Sequence, residues 1–117
     1  MTSVYLVQRP MMRGITTGEF IDKYDLSPCQ RYGDLRVCLM PGNVRADRNN
    51  WVHSLARSLK GFTSEDYLLT LGDPVAIATA AIIAAKNSGG FIRLLKWDKH
   101  RTDYIPVVLD LRTFNAT

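Results

Sequence analysis

The apolar positions of this chain fall into short clusters separated by glycine, proline and charged runs, and their spacing changes along its length. Val4-Tyr5-Leu6-Val7 is a short β-type run, stopped by Gln8-Arg9-Pro10 because proline has no amide proton to give a ladder. From Met11 to Asp34 no period is sustained, and Gly14, Gly18, Pro28 and Gly33 punctuate the segment; Gly18 to Leu26 has room for a helical turn or two. So long an irregular stretch in a compact domain is expected to be a functional arm or a cover over a sheet face. Leu35 to Met40 reads as the second strand, with Leu35, Val37 and Leu39 on one face and Pro41-Gly42 turning the chain.

The period then becomes helical. Trp51, Val52, Leu55 and Leu59 share one stripe, His53, Arg57 and Lys60 lie opposite, Asn49 or Asn50 offers an N-cap, and Gly61 ends the helix. Tyr67 to Leu71 is almost continuously apolar, which suits a central strand buried on both faces. Asp73 at the N-cap and Pro74 at N1 open a second helix that runs to about Asn87. Its alanines, Ala76, Ala78, Ala80, Ala81, Ala84 and Ala85, alternate with Val75, Ile77, Ile82 and Ile83. The helix can therefore approach neighbours on more than one side, sandwiched within the domain or against another protomer. Ser88-Gly89-Gly90 stops it. Phe91 to Trp97 and Tyr104 to Leu111 form a hairpin across the charged connector Asp98 to Asp103, and Pro106 places the last strand at an edge.

The element order β-β-α-β-α-β-β predicts an α/β fold: a small, mostly parallel sheet with a C-terminal hairpin, an edge last strand and a Rossmann-like β-α-β-α-β core. Residues 1–117 form a single domain, with 10–34 as the irregular arm or cover. The core spans Leu35 to Trp97 with right-handed crossovers. If its three strands lie side by side in chain order, both helices cover one sheet face. The other face then falls to the arm or to a second copy.

Composition adds little to this picture. At 117 residues, 46% hydrophobic and 22% charged, the chain matches one globular domain that buries roughly 65 to 70% of its unfolded surface. Cys29 and Cys38 lie outside any CxxC spacing and no secretory signal precedes them, so they read as small core residues in a reducing compartment. Val75 to Ala85 is about half of the roughly 20 residues a membrane helix needs, so a buried helix and no membrane partner are expected. A net charge of +4 favours anionic partners only weakly, because no basic run stands out.

In open α/β sheets, ligands settle outside the carboxyl ends of parallel strands. That rim gathers the candidate ligand or nucleic-acid residues Arg45, Arg48, Gly72, Asp73, Lys96, Trp97, Lys99, His100 and Arg101, with Trp97 or Tyr104 available for stacking. Asp47, Asp98 and Asp103 stand ready to neutralise the cations. The Gly72 turn lacks both GxGxxG and GxxxxGK[ST], and Asp73 itself occupies the amides an anion would use. No catalytic residue stands out: His53 lies on an outer helix face, His100 in a charged loop, and Cys29 has no oxyanion glycine signature. The two cysteines and two histidines match no zinc pattern, so neither a metal nor a cofactor is expected.

Three stretches, Val4 to Pro10, Asp66-Tyr67-Leu68-Leu69-Thr70-Leu71-Gly72-Asp73-Pro74-Val75-Ala76-Ile77-Ala78, and Arg93 to Asp98 with Tyr104-Ile105-Pro106-Val107, are similar to a group of short, uncharacterised proteins encoded by tailed bacteriophages. The resemblance implies a setting, the cytoplasm of an infected bacterium, and a mode of action by binding host machinery or phage nucleic acid. It carries over no catalytic residue. The expectation is an accessory protein that binds without catalysis, either a host protein or itself. A homodimer would form through the apolar side of the second helix or an uncovered sheet face. The alternative is nucleic-acid or nucleotide binding at the basic rim, or a nucleotide-acting enzyme anchored by Asp73.

Overall fold

The computed structural model describes residues 2–14, 18–42, 44, 45 and 48–113. In chain order the elements are β1 (Ser3–Gln8), β2 (Met11–Arg13), β3 (Phe20–Asp22), a 3-10 turn at Ser27–Arg31, β4 (Asp34–Leu39), α1 (Asn50–Ser58), β5 (Tyr67–Leu69), α2 (Pro74–Asn87), β6 (Phe91–Asp98) and β7 (Asp103–Asp110). Five of the strands form one mixed sheet in the order β4-β1-β5-β6-β7. Its first four members are parallel and β7 is antiparallel. The chain is α/β with a mostly parallel sheet, and its last strand lies at an edge, where Pro106 is tolerated.

The strand order, left open by the sequence, is not the chain order of 35–40, 67–71 and 91–97: β1 lies between β4 and β5. Apolar character at every position of Val4-Tyr5-Leu6-Val7 explains the insertion, because only an interior strand covered on both faces buries all four side chains. A correction concerns Gly18 to Leu26. No helical turn forms there; β3 pairs with β2 instead, setting Met12 against Ile21. Asn49 caps α1 by position without a side-chain bond, and the helix ends at Ser58, with the Leu59 amide turning back to the Leu55 and Arg57 carbonyls before Gly61 is reached.

Each sheet face has its own core. On the helix face, Tyr5, Val7, Leu39, Leu68 and Ile92 pack against Trp51, Leu55, Leu59 and Phe62 and against Ala76, Ala80 and Ala84 of α2. Those alanines let α2 rest close on the strands. On the opposite face, Val4, Leu6, Leu69, Leu95 and Tyr104 lie beneath Tyr24, Leu26, Cys29 and Tyr32, so the segment between β3 and β4 packs there. Trp97 and Tyr104 meet edge to face at 5.0 Å between centroids, with Tyr24 5.7 Å from Trp97.

Sheet geometry leaves the helix side of one strand without a helix over it. Five strands about 4.8 Å apart span about 20 Å, and two helices about 10 Å across cover the four on which they lie. With α1 over β4 and α2 over β1 and β6, the helix-side row of β7 carries Ile105, Val107 and Leu109 without a helix above it.

Candidate functional site

The chain leaves two neighbouring strands in opposite directions. From β1 it passes under the sheet through Tyr24 to Tyr32, and from β5 it passes over the sheet as α2. A crevice opens where they part, at the carboxyl ends of β1, β4 and β5. It encloses about 480 Å³, and Gln8, Arg9, Lys23, Tyr24, Thr70 and Gly72 are among its lining residues.

The floor is neutral and its polar atoms are engaged. The buried Gln8 amide donates from Nε2 to the Met40 carbonyl at 3.2 Å and accepts at Oε1 from the Asp73 amide at 2.8 Å, tying together the ends of three strands. Thr70 donates its hydroxyl to the Leu95 carbonyl at 3.0 Å. The wall is cationic. Arg9 grips Asp22 through two bonds of 2.7 and 2.8 Å, which holds the Asp22 carboxyl below the usual carboxylate range. The exposed Lys23 ammonium stands 5.7 Å from the Tyr24 ring centroid and has no carboxylate partner among the described residues.

Gly72 is the one rim residue expected from sequence that lines this crevice. Asp73 caps α2, accepting from the Val75 amide at 2.8 Å. With Arg45, Val44, Trp51 and Val75 it lines a separate, smaller depression of about 180 Å³. Arg48 neighbours Arg45 through a bond from its amide to the Arg45 carbonyl. Asp47 lies outside the described residues. Lys99, His100 and Arg101 form the β6–β7 turn, where Asp98 accepts from the His100 and Arg101 amides and pairs with the Arg101 guanidinium at 3.8 Å. Asp103 pairs instead with Arg31 at 2.8 Å.

Lys96 and Trp97, being adjacent on a strand, point to opposite faces of the sheet, Trp97 into the ring cluster. Tyr104 is fully buried, with its hydroxyl donating to the Asp25 carbonyl at 2.9 Å, so it offers no stacking face. The expected rim therefore does not form one surface. Gln8, Arg9, Lys23 and Thr70 were missed because the crevice depends on β1 standing next to β5, and no local pattern announces that neighbour. The continuous apolar run of β1 was the available signal.

A second feature lies on the helix face. Val75, Ala78 and Ile82 form an outward stripe on α2, with Val75 61% and Ile82 71% exposed, and Leu109 on the helix side of β7 is exposed as well. Among the described residues no three His, Cys, Asp or Glu side chains gather to hold a metal, and no helix is long and apolar enough to cross a membrane.

A family model described as Phage Pam3 gp32-like protein matches residues 2–111, nearly the whole described chain. The chain belongs to that family. It is a phage-encoded protein, in keeping with the resemblance read from Val4 to Pro10 and Asp66 to Ala78. Neither the curated proteins nor the solved structures contain a match. The matched span includes the crevice, the outward stripe of α2 and the β6–β7 turn alike.

Proposed function

We propose that this phage protein is an accessory factor that acts by binding, and that its helix face associates with a second copy of the same chain. One observation carries the reading. α2 is apolar on every side, with Lys86 its single charged residue, yet only the side holding Ala76, Ala80 and Ala84 is buried. A helix apolar all round normally lies inside a core. The outward stripe, with Ala78 between Val75 and Ile82, lets a second helix approach closely.

Size decides how much surface must take part. A 14-residue helix is about 21 Å long and 10 Å across, so its outer face offers about 200 Å². That is well short of the about 800 Å² per partner in stable complexes, so the contact must take in the helix side of β7 at Leu109. Much of the opposite sheet face lies under Tyr24 to Tyr32. Nucleic-acid binding at the rim finds less support, because Lys96 and Trp97 point apart and Asp98 organises the β6–β7 turn.

Sedimentation velocity across a concentration series tests the reading. The wild-type chain should shift from monomer to dimer, and Ile82→Glu or Leu109→Glu should remain monomeric with an unchanged melting temperature. A wild-type chain that stays monomeric at every concentration would overturn self-association and leave another protein as the surface to be sought.

A further inference from the structure

We infer that the crevice between the ends of β1 and β5 is a binding site for a small phosphate ester, held by Lys23 and Arg9. This site is separate from the helix face and does not depend on self-association. Its position follows from the divergence of the two connections at the ends of adjacent strands. The volume of about 480 Å³ lies within the range of small-molecule pockets.

Charge selects the ligand class. Among the described residues, Arg9 and Lys23 are the charged side chains that line the crevice, and Asp22 pairs with Arg9. The bidentate clasp on Asp22 shows that the Arg9 fork is already posed for a two-oxygen anion. A phosphate ester brings about two negative charges and three acceptor oxygens near neutral pH, enough to meet Lys23 and to draw Arg9 off Asp22. The α2 N-terminus contributes nothing, since Asp73 holds the Val75 amide and Gln8 the Asp73 amide. Recognition falls instead to the two side chains.

The carboxylate makes the site self-limiting: Asp22 competes with the ligand for Arg9. Removing its charge should tighten binding, whereas for a merely structural ion pair it would only loosen the hairpin of β2 and β3. The pH dependence also has a fixed sign. A phosphate monoester loses its second charge as pH falls through about 6, and affinity should fall with it.

Titration calorimetry at low ionic strength, with a nucleoside monophosphate, a sugar phosphate and inorganic phosphate as separate probes, tests the assignment. At least one ester should bind saturably and more tightly than inorganic phosphate, and which ester does so separates nucleotide from sugar recognition. Lys23→Ala should weaken it about tenfold, Asp22→Asn should strengthen it, and the Ile82→Glu monomer should bind as the wild type does. No saturable binding by any ester, or binding unchanged in a folded Lys23→Ala chain, overturns the proposal.

Discussion

Gly72 lies so close to Gln8 that a Cβ placed on it would sit 2.5 Å from the Gln8 Cβ. Its φ of +120° adds a second objection, since side chains of L-residues rarely adopt that region. Gly72→Ala should therefore cost about 3 kcal/mol in urea denaturation, combining backbone strain with an overpacked strand end. Gly42→Ala is the control. Its φ is +78° but nothing lies within 4 Å, so about 1 kcal/mol is expected. Equal losses at the two positions would show that the approach to Gln8 is not tight.

Tyr104 fastens the segment between β3 and β4 to the sheet. Its ring packs on Trp97 and its hydroxyl donates to the Asp25 carbonyl. Tyr104→Phe should cost about 1 kcal/mol by leaving that carbonyl without its donor. Tyr104→Ala should cost about 4 kcal/mol and open residues 24–32 to limited proteolysis well before the rest of the chain is cut.

Pro106 blunts the free edge of the sheet. The Leu95 carbonyl accepts from the Thr70 amide at 3.1 Å, so Leu95 directs its backbone groups toward β5 and its partner Pro106 faces the open side. Tyr104, two residues earlier, faces the same way, and its carbonyl is taken by Arg31 at 3.2 Å and Tyr32 at 3.3 Å. Pro106→Val breaks no ladder bond, so stability should change by less than about 1 kcal/mol, while an outward amide is restored. Light scattering should register increased association. A variant as monodisperse as the parent would show that the edge is protected by other means.

Stability should form a plateau bounded by titration on both sides. Asp22, Asp103 and Asp110 are held below the usual carboxylate range, chiefly by hydrogen bonds from Arg9, Arg31 and Arg112. Groups lowered in this way stabilise the fold above their unfolded pKa, and that contribution is lost as pH falls below about 4. Burial pushes the Cys29 and Cys38 thiols up to about 11 and also raises Tyr5 and Tyr104. Raised groups act in the opposite sense: their contribution is complete below the unfolded pKa and disappears as pH climbs from about 8.5 toward 11. Urea midpoints measured from pH 3 to pH 11 check both flanks. At pH 7.5, alkylation of either cysteine should be slow unless the chain is unfolded.

Local structure was more legible than neighbourhood. Asp73-Pro74 announces the start of α2 because cap and N1 chemistry is encoded in adjacent residues, and the Asp73 to Val75 bond bears that out. Trp51, Leu55 and Leu59 likewise reach the core at the spacing their period gives. The seat of β1 was not legible, since pairing Ser3 with Asp34 and Val4 with Tyr67 depends on contacts far apart in the chain. The strands β2 and β3, three residues each, are too short for alternation to show. The crevice shared this fate: its residues come from four separate stretches, and only the strand order brings them together.

The central place of the N-terminal strand also sets a timetable for synthesis. β1 is made before both of its partners, which follow about 30 and about 60 residues later. At ~5–20 residues per second, its four apolar side chains wait about 3 to 13 s for the second of them. The sheet then widens away from its oldest strand, and the last to arrive, β7, brings with it the proline that closes the edge to further growth.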